Sequence, residues 1–451
     1  MRKGLYCFTH DLRLEDNPTL NALARECESL AFVYIINPQW FKPTNYHHQD
    51  IGFHRWRFIC QSLEALARNL SDSKHRLYVA FGSPKQVISQ LTTQHTFTHL
   101  GVAHQVGWYE QQHWRQVAKE FNELTVVSRW NSTLFEPSQL PDDDAKYKSF
   151  SRFRNFVEKK SVEVQLPQAS YGLKLRAPMT LPLDVFDVEK ASSLSGASQS
   201  LRDDLVESSM FHGGELSASR HLRGYFSSQA PLSYKETRNA LDDWSSSTKL
   251  SPYLSQGNLS PRQVWLQKLS YEEVFGANES TYWIGFELLW REYFQWQATR
   301  QGTSLFTFKG VAQQSPLTSY FPERFNRWVH GSTPSPLVNA CMNQLRSTGY
   351  LSNRGRQLVA SYLTNELNID WRYGAAYFQE QLIDYDVAAN WGNWQYIAGV
   401  GVDPRGGRHF NIEKQQQQYD PDGSFIARWS GEQNITAIDS TDAADWPVLE
   451  A

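Results

Sequence analysis

Five short apolar runs, separated by four helical patterns, constrain the first 130 residues more tightly than any other feature of this chain. The runs are "GLYCFTH" (4–10), "SLAFVYII" (29–36), "RLYVAFG" (76–82), "FTHLGVAH" (97–104) and "ELTVVSRW" (123–130). Each is short and rich in β-branched or aromatic residues, which reads as a buried strand. Between them, "PTLNALARECE" (18–28), "FHRWRFICQSLEALARNL" (53–70), "SPKQVISQLTT" (83–93) and "YEQQHWRQVAKEF" (109–121) repeat apolar residues at helical spacing. Nine alternating elements predict a doubly wound, five-stranded parallel sheet with helices on both faces. The first strand is not followed by G-x-G-x-x-G, so a dinucleotide held in the Rossmann manner is not expected on this domain.

At 451 residues the chain is too long for one ordinary domain, and its composition changes twice. Near 136 it becomes turn-rich ("PSQLPDDDAK", "DVEKASSLSGASQS"), with a short helix expected at 147–160. From about 205 helical periodicity takes over. The expected division is an α/β domain over 1–135, a linker over 136–204, an all-helical domain over 205–430 and a polar tail over 431–451. Net charge is −3, so the overall balance does not advertise nucleic-acid binding, although a local basic groove is compatible with it. Four scattered cysteines argue against a disulfide framework or a zinc site, so no metal is expected, and they fit a reducing cytoplasm. Charge comes too early in "MRKGLYCFTHDLRLED" for a signal peptide. No apolar run reaches the roughly 18 residues of a spanning helix, so no membrane partner is expected. The unusual quantity is aromatic content, 14%, with 16 Trp.

In the helical half, polar residues recur beside large aromatics. "SSSTKLSPYL" (245–254) sets five hydroxyls and a lysine before a proline helix start; it is either a solvated N-cap turn or an anion site. In "FHGGELSASRHLRGYF" (211–226), Glu215 falls in the first turn, where the helix dipole favours it. In "WIGFELLWREYFQW" (283–296), Glu287, Trp290 and Arg291 share one helix face. Either Glu287 pairs with Arg291 beside a core indole, or the carboxylate is used. "LIDYDVAANWGNWQYIAGVG" (382–401) crowds Asp384, Asp386, Asn390, Trp394 and Tyr396 together, and Asp386, Asn390 and Trp394 fall on one stripe if the helix survives Gly392. Each segment alone has an ordinary explanation. Together they describe a pocket for a large, flat, phosphorylated ligand.

These motifs, in this order, resemble the DNA photolyase/cryptochrome family over most of the chain. Residues 211–226 are similar to the family's G-G-E-x-x-A-x-x-R-L-x-x-Y-F, with His221 where Arg is commoner. "STKLSPYLSQGNLSPRQV" resembles its flavin phosphate loop, and "LLWREYF", "SNRGR", "IDWR" and "IDYDVAANWGNWQY" its flavin and lesion motifs. "CFTHDLRLEDNPTL" (7–20) resembles its N-terminal motif. "YKETRN" (234–239) and "WQYIAGVGVDPRGGRHFNIEKQ" (394–415) point to the DASH cryptochrome branch.

The resemblance implies FAD bound inside the helical domain. Tyr234 and Ser247, Thr248, Lys249, Leu250 and Ser251 would hold its phosphates. Arg291, Asn353, Arg356, Asp384 and Asp386 would surround the ribityl chain and ring, and Asn390 would face the ring's reactive edge. It further implies blue-light splitting of cyclobutane pyrimidine dimers in single-stranded or looped DNA by electron transfer from excited reduced FAD. Glu287 would hydrogen-bond the dimer, Asn353 would position it, and Trp290 and Tyr396 would offer flat surfaces. Arg354, Arg405 and Arg408 would meet phosphates. Trp394 and Trp371 match the inner members of the family's electron path. The outermost position falls on Thr318, for which Tyr320 or Trp328 could substitute. A second chromophore, 5,10-methenyltetrahydrofolate, would touch Glu110. A monomer is expected. The competing expectations are a blue-light photoreceptor acting through a partner and a light-independent flavoprotein.

Overall fold

The structure is a computed structural model and describes residues 2–170, 176–192, 194, 210–402 and 406–433. Its sheet is built on β1 (Lys3–Phe8), β2 (Ser29–Ile36), β3 (Leu77–Phe81), β4 (His99–Val102) and β5 (Thr125–Val127), all parallel, in the order β5-β4-β1-β2-β3. All eight residues of β2 are buried, as expected of a central strand covered on both faces. The side-chain alternation of the strands sorts two cores. Tyr6, Phe8, Phe32 and Tyr34 pack with Leu23 and Leu63 on one face; Leu5, Cys7, Val33 and Ile35 pack with Val87, Leu91 and Val117 on the other. Helices Pro18–Glu26 and Phe53–Ser71 therefore cover one side, and Pro84–Gln94 and Trp108–Glu120 the other.

The connection does more than tether. Its helix Phe150–Lys159 starts at the Ser149 cap, whose hydroxyl accepts from the Arg152 amide. It then adds two short strands to the five: β6 (Ala177–Pro178) lies parallel to the first residues of β2, and β7 (Asp184–Val185) runs antiparallel to β3. The rest of the described chain is helical around one apolar core that includes Trp328, Trp371, Leu337 and Leu358. Its longest element is Glu279–Gln301, 23 residues, opened by the Asn278 cap.

Sheet and helices are joined by buried charge whose hydrogen bonds are largely made within the protein. The Arg13 guanidinium donates to the Asp16, Gly257 and Asn131 carbonyls, and Arg262 Nε donates to Asp16 Oδ2 at 2.9 Å. The Glu215 carboxylate accepts from the Leu14 and Glu15 amides (3.1 and 2.9 Å) and from Asn69. Thus Glu215, at the helix start that the sequence indicated, clamps the loop after β1. Glu292, fully buried, accepts from the Leu134 and Phe135 amides and the Trp296 indole. No helix among the described residues is long and apolar enough to cross a membrane, and no metal-binding cluster is found among them.

Candidate functional site

The helical region encloses a cavity of about 540 Å³. Its inner end is built from two carboxylate-bearing turns and one hydroxyl loop. Asp386 caps the helix Val387–Ala398 by accepting from the Ala389 amide. Asp384 lies two residues earlier and accepts from Arg356 Nη2 at 2.8 Å, while Arg356 Nε donates to the Leu351 carbonyl. The second oxygen of Asp384, Oδ1, is buried and accepts no hydrogen bond. Since buried carboxylates are costly unless satisfied, this open valence marks a place for a donor. Gly392 does not interrupt the helix; its missing side chain admits the Phe294 ring, which a Cβ would meet at 2.5 Å.

The loop 247–251 forms the opposite wall. His221 Nε2 donates to the Thr248 carbonyl, so helix Glu215–Phe226 supports the loop from behind. Lys249 is buried and adopts φ +51, and its ammonium donates to Ser247 Oγ at 3.0 Å. Burial depresses it to about 8, and among the described residues it makes no ion pair. Tyr234 completes this wall, its hydroxyl raised well above the usual tyrosine value by burial.

The outer wall holds Glu287, Trp290, Asn353 and Tyr396. The intrahelical Glu287–Arg291 pairing does not form. Glu287 pairs with Arg238, whose guanidinium carbon lies 4.3 Å from the Trp283 ring centre. Arg291 instead donates to the Ser132 carbonyl (2.6 Å) and approaches Asp386 at 3.4 Å. Burial raises the Glu287 carboxyl above the ordinary range, against the pull of Arg238. One face of Trp290 is already taken: Phe150 stacks on it at 3.8 Å and 12°.

Asn390 and Trp394 line a smaller adjoining cavity of about 110 Å³, shared with Asn353, Arg356, Asp384 and Asp386. Asn390 Nδ2 donates to the Ala375 carbonyl, which fixes its amide. Trp394 packs where Gly374 leaves room, one turn along the helix from Trp371. Trp371 is fully buried and meets Trp391 at 5.7 Å; Trp328, also fully buried, touches Trp394 at 6.4 Å and so lies inside; Tyr320 stacks on Tyr373 at 4.0 Å. Arg354 does not line the cavity. It packs against Phe410 and Tyr419 and donates to Asn239. Arg408 lies over the Tyr396 ring at 4.6 Å and donates to its hydroxyl. Arg405 lies outside the described residues.

A second cavity, about 640 Å³, opens at the carboxyl ends of β1 and β2, bordered by His10, Tyr34, Gln105, Glu110, Tyr385 and Trp391. Gln105 and Glu110 follow β4, so the cavity also reaches the gap between β1 and β4, the sheet's topological switch point, where open α/β sheets take ligands. Glu110 folds back over Gly107, where any Cβ would strike its carboxylate at 2.1 Å, and its Oε2 is buried without a donor.

Sequence reasoning missed Arg238, Phe150 and Trp391. Arg238 stood four residues after Tyr234 on a helical pattern, a usable signal; Phe150 carried none, because its partner is 140 residues away.

Comparison with known proteins agrees with this geometry. Residues 4–170 match the DNA photolyase domain, and residues 283–442 match the FAD-binding domain of DNA photolyase. The chain is 46% identical to cryptochrome DASH of Idiomarina loihiensis, over 99% of this chain and 97% of that one. It is 44% identical to cryptochrome DASH of Vibrio parahaemolyticus, with coverage of 99% and 97%. The crystal structure of a Synechocystis cryptochrome superposes with a TM-score of 0.87 at 35% identity, covering 95% of this chain and 88% of that one. The chain belongs to the DNA photolyase/cryptochrome family, in its cryptochrome DASH branch.

Proposed function

We propose that this flavoprotein splits cyclobutane pyrimidine dimers in single-stranded or looped DNA under blue light. One observation carries the reading: Glu287, Trp290, Asn353 and Tyr396 converge on the mouth of the same cavity whose interior holds the Arg356–Asp384 pair and the 247–251 loop. The interior suits FAD. Asp384 Oδ1 is an acceptor awaiting a donor, and Lys249 is a buried cation without a carboxylate partner. Tyr234 and residues 247–251 would hold the phosphates; Arg291, Arg356, Asp384, Asp386 and Asn390 would hold the ribityl chain and ring. When bound and reduced, FAD would supply the photo-excited electron that opens the cyclobutane ring and would take it back afterwards, so the splitting is redox-neutral.

The protein's own groups do the remaining work. Glu287, its carboxyl raised by burial, would when protonated donate to a pyrimidine carbonyl and ease negative charge there. Arg238 anchors the other side of that carboxylate. Asn353, exposed at the start of the helix Asn353–Asn365, presents its amide to the lesion. Trp290, braced by Phe150, and Tyr396 offer flat faces to a base out of the stack, and extrusion costs least where bases are already unpaired. Trp394 and Trp371 would pass electrons to the flavin, and Trp391 meets the Trp371 ring at 5.7 Å. The cavity at Glu110 is the site for methenyltetrahydrofolate.

The test is direct. Purified, reduced protein illuminated with blue light should restore dimers in single-stranded oligonucleotides to intact pyrimidines, and Glu287→Ala should do so at least tenfold more slowly, the loss expected of a hydrogen bond to a charged group. Dimers left unchanged by the wild type overturn the reading. A light-dependent partner interaction untouched by Glu287→Ala would favour photoreception instead.

A further inference from the structure

A third cavity, about 410 Å³, lies between the connecting helix and the end of helix Val387–Ala398. It shares Trp290, Phe294 and Tyr396 with the lesion cavity, so those three rings form a common partition. Its size falls within the range of ligand pockets. Among the described residues, none that lines it is charged. Phosphates and carboxylic acids are therefore poor occupants, while the aromatic lining suits a flat, uncharged ring.

Two of its lining glutamines carry a carbonyl oxygen without a partner. Gln301 Oε1 and Gln395 Oε1 are buried and accept no hydrogen bond. Their orientations are set by their other ends. Gln395 Nε2 donates to the Ser304 and Leu305 carbonyls (2.8 and 3.0 Å). Gln301 Nε2 donates to Gln297 Oε1 at 2.9 Å, and Gln297 donates in turn to the Tyr147 carbonyl. Both amides thus keep their carbonyl oxygens for a partner, and that partner must bring N–H or O–H donors.

We propose that this cavity receives an unstacked nucleobase flanking the pyrimidine dimer, with the exocyclic amine of adenine or cytosine donating to Gln301 and Gln395. The inference rests on the reading of the neighbouring cavity as the lesion site: a strand that places a dimer on one side of Trp290 and Tyr396 brings the adjacent nucleotide to the other. A duplex base, stacked on both faces, could not enter without being unpaired, so the same cavity favours single-stranded or looped DNA.

The experiment uses the whole protein with its flavin, in the dark, and fluorescence anisotropy of single-stranded oligonucleotides holding one dimer. The base next to the dimer, on either side in turn, is adenine, purine (adenine without its amine) or an abasic site. On one side, the abasic oligonucleotide should bind about tenfold more weakly and the purine one roughly threefold more weakly. Gln301→Leu, which loses the bond to Gln297 and leaves Gln395 as the remaining acceptor, should show a smaller adenine-over-purine preference than the wild type. Wild-type affinity indifferent to the flanking base on both sides overturns the inference while leaving the lesion site intact. An adenine preference as large in Gln301→Leu as in the wild type also overturns it. Failure to bind any dimer-containing oligonucleotide would remove the lesion reading and this inference together.

Discussion

Two regions of this molecule bury charge, and they treat it in opposite ways. At the junction between sheet and helices, Arg13 donates to three different backbone carbonyls, Glu215 accepts from two amides and Asn69, and Glu292 accepts from two amides and an indole. In the helical cavity, Asp384 keeps one oxygen open, and Lys249, beside the Tyr350 ring, makes no ion pair among the described residues and donates to a serine hydroxyl. Both regions carry the family's motifs. The difference shows which motifs are structural. Where the protein completes a buried group's hydrogen bonds, the group holds the fold together; where it leaves valences open, the group awaits a ligand.

The strongest way to break this contrast is at the junction. Glu292→Ala strands three buried donors at once, and unsatisfied buried groups cost about 1–3 kcal/mol each. Urea unfolding should show a loss of about 4 kcal/mol, whether or not flavin is bound. A loss below about 1 kcal/mol would mean that the junction is not a structural clamp. In the cavity the prediction reverses. Asp384→Ala removes the partner of Arg356 and the open acceptor together, so flavin affinity should fall roughly a hundredfold, the consequence of about 3 kcal/mol. Stability of the flavin-free protein should change far less, and dialysis followed by absorption spectroscopy separates the two effects.

The sheet, its order of elements and the helical half were legible because each rests on local periodicity. Strand β2 is predicted at 29–36 and observed at Ser29–Ile36, and the helix predicted over 53–70 is observed at Phe53–Ser71. The charge pairing was less legible. The local rule joins residues four apart on a helix, and it offered Arg291 to Glu287. Tertiary packing placed Arg238 closer and turned Arg291 toward Ser132 and Asp386. The aromatic path shows the same limit. Spacing located Trp394 and Trp371, but only three-dimensional packing shows that Trp371 faces Trp391 and that Trp328 sits within the core. The strands β6 and β7 escaped notice because two-residue pairings leave no periodicity.

Arg238 allows the contrast to be sharpened within the cavity itself. Arg238→Met keeps most of the side chain's packing on Trp283 but removes the cation beside Glu287. The Glu287 carboxyl, already raised by burial, should rise further, since Arg238 is the group that lowers it. If Arg238 only anchors structure, flavin content and dimer affinity will fall together with no change in the pH profile. If it poises Glu287, the profile of repair rate shifts to higher pH while flavin content holds.

The most diagnostic effect concerns Lys249. Burial lowers its ammonium from the model-compound value of 10.5 to about 8. In the flavin-free protein, unfolding lets this lysine take up a proton between about pH 8 and 10.5, so stability from this group rises with pH across that window. Flavin binding has the opposite sign. A phosphate prefers the charged ammonium, so binding takes up a proton once the pH exceeds about 8, and affinity should fall by up to about tenfold per pH unit above it. Lys249→Arg stays protonated throughout and should flatten the profile. Lys249→Met should weaken binding at pH 7 and also remove the slope. Flavin fluorescence released on dilution, measured from pH 7 to 10, reads all three. A wild-type profile as flat as that of Lys249→Met would mean that this buried cation, open though it is, does not meet the phosphates.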